Sequence, residues 1–396
     1  MTAPVEPPRD RLNLRNLDGR EMAAALAPFG VTPDVARRVF AAVHRDGAVS
    51  LDQAQAGIRG LSRVAARAID AASTWPDLNV LERRRAEDGF LKYLFKLSDG
   101  HEIEAVRIPL PDPAAARMLR AARAEGSAPA GLTALPTTKY SVCLSSQAGC
   151  ALACDFCATG RLGGIRSLET WEIIAQLRTI AHEADHPIRG VVFMGMGEPL
   201  LNAANVLRAA RIFSDPAGPA IGAKAISIST AGVVPAIRRY IEDRQPYRLI
   251  FSLGAPTSAE RAMLMPIESR WPLTELIPQI RAYIEATGQR ATIAYVAIGG
   301  VNTSPTHARQ LAVLLAGMRV KINLIDVTDA TGRYRPPTTP ELDEFRDALN
   351  RELGMPVVRR YSGGAEIGAA CGTLSASRRG GESASSDALR RLSVLR

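Results

Sequence analysis

From about residue 138 onward the chain alternates between short apolar, β-branched runs and helical segments, and this alternation limits the possible fold more than any other feature. The runs are KYSVCL, GVVFMG, AISIS, RLIFSL, ATIAYVAI and VKINLI. Helices are expected at 170–184, 202–213, 233–243, 273–286, 305–316 and 340–353. Strands that alternate with helices build parallel βαβ units. Six repeats suit a partial (β/α)6 barrel of the TIM type, open on one side, better than a flat sheet. Chemistry in such a fold collects at the carboxyl ends of the strands. A hydrophobic content of 46% is ample for a core of that size.

Two different stretches precede this α/β region. Residues 1–75 read as a small helical domain. Thr32 and Pro33 have the form of an N-cap followed by proline at the first helical position. Val35, Val39, Phe40 and Val43 then recur at helical spacing. Ser50 and Gln53 have capping-box spacing. Residues 76–137 read as a connector: a β-hairpin of KYLFKL and EIEAVRIPL around SDGH, then a Pro/Ala/Gly-rich insertion over 112–137. In the second hairpin strand Glu104, Val106 and Ile108 share a face. Alone, this pattern favours a solvated edge-strand carboxylate. The barrel region is expected over 138–374 and a disordered tail over 375–396.

The stretch CLSSQAGCALACDFCATG, 143–160, holds four of the five cysteines. Cys150, Cys154 and Cys157 form C-x3-C-x2-C in the loop after the first barrel strand. Three close thiolates suit an iron–sulfur cluster or a zinc ion. A zinc ribbon would supply a second Cys or His pair, and the remaining cysteines are only Cys143 and Cys371. Three ligands on a four-iron cluster leave one iron open, as a catalytic site requires. Phe156, just before the third cysteine, would shield such a cluster. At the end of the second barrel strand, FMGMGEPL places Gly195, Gly197 and Glu198. The glycines would let a ligand approach the backbone, and the carboxylate would hold an ammonium group.

The net charge of +9 suits a polyanionic partner such as nucleic acid, although an arginine-rich composition alone would produce it. No apolar run reaches the ~18 residues of a membrane span. The polar, Pro-rich start MTAPVEPPRDRLNL has no signal-peptide core. A cytoplasmic location without membrane contact is therefore expected.

The cysteine motif resembles that of the radical S-adenosylmethionine (SAM) superfamily, in which the open iron binds the amino and carboxylate groups of SAM. The likeness narrows when EAVRIP, CLSSQAGCALACDFCATG, MGMGEPL, STAGVVP, KINLI and AACG are read together. The set is similar to the RlmN/Cfr-type radical methyltransferase family, which methylates an adenine carbon, C2 or C8, of 23S ribosomal RNA and in some members of transfer RNA. The resemblance implies a 4Fe–4S cluster on Cys150, Cys154 and Cys157. It implies SAM contacts at Gly197, Glu198, Ser229, Ser252, Leu253, Gly254 and Thr328. It assigns Cys371 as the methyl-carrying cysteine, Cys143 as the resolving cysteine through a transient disulfide, and Glu104 as the base. It also implies a monomer served by an electron donor such as flavodoxin or ferredoxin. C2 is expected before C8.

Several positions depart from that pattern. Gly254 stands where the family has His, and Asp326–Val327–Thr328 replace Pro-Trp-Asn. Glu366 replaces Asp, Thr373 replaces Gln, and the insertion before Cys143 is long. Two rival readings are a radical SAM enzyme with a non-RNA substrate and a nucleic-acid-binding protein with a zinc knuckle. HEADH at 182–186 matches a zinc-protease pattern but reads as an exposed helix end. Trp171 and Trp271 read as packing residues. RRRAEDG at 83–89 and RYRPP at 333–337 read equally as phosphate contacts or as solvated faces.

Overall fold

The computed structural model describes residues 11–112, 114–115, 118, 137–329, 331–360 and 363–375. The expected insertion and tail therefore lie almost wholly outside the described residues. The N-terminal stretch is helical: α1 (Gly19–Leu26), α2 (Pro33–His44) and α3 (Arg63–Ala72). Thr32 caps α2 by accepting the Val35 N–H, and Pro33 occupies the first turn. The stripe Val35, Val39, Phe40 and Val43 is buried. Ser50 does start a helix, but it runs only over Leu51–Ala54. The Asp70 carboxylate accepts the Leu51 and Asp52 N–H groups, both at 2.9 Å.

Among the described residues one ten-stranded sheet dominates. Its strands are β1 (Asn79–Arg85), β2 (Leu91–Lys96), β3 (Glu102–Pro111), β4 (Thr137–Cys143), β5 (Ile188–Phe193), β6 (Ile226–Thr230), β7 (Arg248–Ser252), β8 (Ala291–Ala297), β9 (Val320–Asp326) and β10 (Val357–Arg360). They lie side by side in chain order. From β4 to β10 every pairing is parallel. The helices α4 (Thr170–His182), α5 (Ala203–Ser214), α6 (Val234–Glu242), α7 (Ser258–Leu264), α8 (Leu273–Thr287), α9 (Pro305–Leu314) and α10 (Thr339–Leu353) lie between those strands. All six expected parallel strands are present, and β10 adds a seventh at the edge. The two end strands, β1 and β10, are not paired with each other, so the barrel is open.

The hairpin is not a separate connector. It gains β1 and joins the barrel, with β3 antiparallel to β4 and Val106 opposite Cys143. Glu104 consequently lies on an interior strand, where residues 103–107 are all buried. The edge-strand reading fails because β4 supplies the second neighbour. The N-terminal helices dock on α4 and α5 and share one hydrophobic core with the barrel. Polar contacts border this seam: Asp18–Arg211, Glu21–Arg208, Arg37–Asp215, and the Trp171 N–H donating to Asn16.

Candidate active site

Three segments meet at the carboxyl ends of the parallel strands. The first follows β4. Gln147–Gly149 and Gly164–Ser167 form a two-stranded clasp that closes the loop carrying the three cysteines. The Cys150 N–H donates to Gly163 O (2.8 Å) and the Cys157 N–H to Cys154 O (3.1 Å). Cys150, Cys154, Phe156 and Cys157 all line one cavity. Burial pushes the Cys150 thiol up to about 12 and Cys154 well above its ordinary value. Such sulfurs carry charge only when a metal centre holds them.

Among the described residues no three His, Cys, Asp or Glu side chains converge to chelate one ion. One tetrahedral zinc would bring its thiolates to about 4 Å from each other. Three thiols set around a shared cavity suit ligands to three iron corners of one cluster. The acids of HEADH have partners of their own. Glu183 binds Arg83, and Asp185 accepts the Tyr140 hydroxyl at 2.6 Å.

The second segment follows β5. Gly197 has φ +96, and a Cβ there would stand 2.5 Å from the Gln147 side chain. A Cβ on Gly195 would stand 2.7 Å from the Leu144 backbone. These glycines let the β5 end pack against the segment leading to the cysteines, a tighter demand than ligand approach. Glu198 is buried, and its two oxygens accept the N–H groups of Leu200 (3.0 Å) and Ala231 (2.8 Å). Burial pushes its carboxyl up to about 7 despite those bonds. Glu198 thus ties the end of β5 to that of β6 while still lining the cavity. Ser229 and Ser252 line it too, their hydroxyls 3.4 Å apart, as does Thr328. Leu253 and Gly254 are not among the described lining residues. Leu253 is buried in the core, and its carbonyl accepts from Arg261.

The third segment, Gly363–Ser375, returns from β10 across the open side of the sheet. The Gly364 N–H donates to Asp88 (2.9 Å), the Glu87 N–H to Glu366 (3.1 Å), and the Ser375 N–H to Glu104 (2.9 Å). Its middle is tied to the cysteine loop. The Ala158 N–H donates to Gly372 O (2.8 Å), and the Thr159 hydroxyl to Leu374 O (2.5 Å). Cys371 lines the same cavity as the three cysteines and packs by Ile250, Ala294 and Ile325.

Cys143 ends β4, buried, with its sulfur accepting the Met194 N–H. It lies within electrostatic range of Cys371, and burial pushes its thiol up to about 12. No bond joins Cys143 and Cys371, the pair expected to form a transient disulfide.

The sequence profile of the Radical SAM superfamily matches residues 144–312. A probable RNA methyltransferase of Myxococcus xanthus is 50% identical over 93% of this chain and 96% of its own length. A dual-specificity RNA methyltransferase RlmN of Syntrophobacter fumaroxidans is 38% identical over 86% of this chain and 91% of its own. A crystal structure of a radical SAM methyltransferase from Sphaerobacter thermophilus superposes with a TM-score of 0.79 at 33% identity. It spans 92% of this chain and 100% of that one. The chain belongs to the RlmN-type radical SAM RNA methyltransferase family.

It is therefore an enzyme of methyl transfer, and its family works with a 4Fe–4S cluster and SAM. The residues present fit both groups: three thiols, and beside them hydroxyls and a carboxylate, around one cavity. The departure at Gly254 has a local cause. Its φ is +72, and a Cβ there would stand 2.5 Å from Met265 Sδ. The family's histidine would need both a different backbone and a displaced Met265.

Sequence reasoning passed over Lys92, whose ammonium lies 2.9 Å from Glu104. The signal was a lysine inside the apolar run KYLFKL. Arg360, a charged neighbour of Cys143 at the end of β10, carried no comparable signal. The two tryptophans do pack, Trp171 by a ring N–H to Glu169 and Trp271 under Arg270. Arginines of both basic runs form ion pairs at the protein's own surface, Arg83 with Glu183, Arg333 with Asp155 and Arg335 with Glu341.

Proposed function

We propose that this enzyme methylates a ring carbon of adenosine in RNA, C2 before C8, with ribosomal RNA as first substrate and transfer RNA as second. One observation carries the reading. Cys143, at the end of β4, lies within electrostatic range of Cys371, which lines the same cavity as the cysteine triad. Names of full-length relatives support RNA as the substrate. Cys150, Cys154 and Cys157 would hold the cluster; Gly197, Glu198, Ser229, Ser252 and Thr328 would surround SAM. When bound, cluster and SAM supply a carbon radical that can add to an electron-poor ring carbon, which no ordinary methyl transfer achieves.

The chain's own residues do the rest. Cys371 carries the methyl carbon as a thioether and so becomes linked through it to the base. Glu104 takes the proton of the ring carbon. Once the adduct gives up its unpaired electron, which the bound cluster would accept, the Cys143 thiolate attacks the Cys371 sulfur. The S–S bond forms as the S–C bond breaks, its electron pair stays with the departing carbon, and a proton completes the methyl group. The open cysteine loop would receive electrons from a low-potential donor of the flavodoxin or ferredoxin kind.

The test is Cys143→Ala. During turnover with ribosomal RNA it should accumulate a covalent protein–RNA species joined through Cys371. Mass spectrometry of RNA treated with the wild-type enzyme then reports the modified carbon. Failure of labelled methyl to reach Cys371 rejects the proposal.

A further inference from the structure

We propose that Lys92 is a positioning residue for the proton-transfer step, holding Glu104 as the carboxylate that receives the proton from the RNA base. The inference rests on the function proposed above. It is carried by a buried pair that no sequence motif announces. In the β2–β3 register Lys92 faces Val106 and Leu94 faces Glu104, which makes Lys92 and Glu104 diagonal neighbours on one face. Their charged atoms are 2.9 Å apart, and both residues are more than nine-tenths buried, at 8% and 4% exposure.

Both line a second cavity, of about 390 Å³, distinct from the cysteine-lined one. Thr328 belongs to both walls, so the two cavities adjoin. The second has the base candidate in its wall and the Cys371 loop over it.

The charges around Glu104 make the role of Lys92 specific. From β1 come Glu82 and Arg84, which pair with each other at 2.7 and 3.0 Å. Asp329 comes from the segment after β9 and pairs with Arg161 at 3.0 Å. Glu366 comes from the Cys371 loop. Lys92 comes from β2 and is the cation in contact with Glu104. The other Glu104 oxygen accepts the Ser375 N–H at 2.9 Å.

Two contacts fix the two oxygens of Glu104, the Lys92 ammonium on one and the Ser375 N–H on the other. Without the ammonium that oxygen loses its tether, and the carboxylate can turn away from the ring carbon. In the transfer itself the proton moves from carbon to a Glu104 oxygen, the C–H electron pair stays with the ring, and Lys92 keeps its charge.

The experiment compares wild type, Lys92→Met, Lys92→Gln and Lys92→Arg as cluster-reconstituted enzymes, with ribosomal and transfer RNA from cells lacking the protein. For Met and Gln, methylated product at pH 7 should fall roughly 100-fold, the scale of a lost general base. The covalent protein–RNA species should accumulate, and 5′-deoxyadenosine should still form at the wild-type rate. Lys92→Arg, which keeps a cation within reach of Glu104, should keep most of the product.

Undiminished product in both neutral variants overturns the proposal. So does a parallel loss of 5′-deoxyadenosine and product, which would mark Lys92 as structural only. Gln retains a hydrogen-bond donor towards Glu104 and stands in if Met prevents folding. Absence of methylated RNA with wild type would instead reject the substrate reading, so the two failures are distinguishable.

Discussion

At the level of single residues, the site depends on groups whose surroundings set their chemistry. In the proposed reaction Cys143 acts as a thiolate, yet burial pushes its thiol up to about 12. Below that value the thiolate fraction rises about tenfold per pH unit. Decay of the protein–RNA species in single-turnover experiments should therefore climb steeply between pH 7 and 9. A flat profile would mean that another group removes the Cys143 proton. Arg360 lowers the Cys143 value, so Arg360→Met should slow this decay further while leaving methyl loading of Cys371 intact. Gly254 makes a separate prediction. Its left-handed backbone and the nearby Met265 leave no room for a side chain. Gly254→Ala should cost at least about 1 kcal/mol in urea unfolding, from strain alone.

At the level of elements, much was legible and the exceptions are physical. The parallel strands announced themselves because both their faces are buried, which makes each a continuous apolar run. β1 did not, since its sequence NVLERRR places only partly buried or exposed residues on the sheet's rim. β10, with VVRR, was missed for the same reason. The cysteine triad could be read because metal ligation fixes both residue type and spacing. The Lys92–Glu104 pair could not, because it depends on hairpin register.

One brace between elements was equally hidden. Arg261 on α7 is fully buried, ion-paired with Glu268, and donates to the carbonyls of Leu253 (3.1 Å) and Ala231 (2.6 Å). It fastens the ends of β6 and β7 beside the cavity. Arg261→Met leaves Glu268 a buried, unpaired charge, and should cost about 3–5 kcal/mol in chemical denaturation.

For the molecule as a whole, the N-terminal helices and the barrel bury their apolar faces in one shared core. Heat should therefore melt them together, with helix-weighted circular dichroism and calorimetry giving one coincident transition. Two separated transitions would show that the seam along α4 and α5 holds weakly. Among the described residues no helix is long and apolar enough to cross a membrane.

The link between the Ala158 N–H and Gly372 O joins the residue after Cys157 to the residue after Cys371. In the proposed reaction the cluster-holding loop and the methyl carrier are therefore fastened to each other by this contact and by the Thr159 hydroxyl on Leu374 O. Oxygen damage that dissolves the metal centre would slacken this fastening, and the carrier would lose its station at the same moment as its source of radicals. An aerobically inactivated enzyme would then be protected from stranding half-modified RNA on itself.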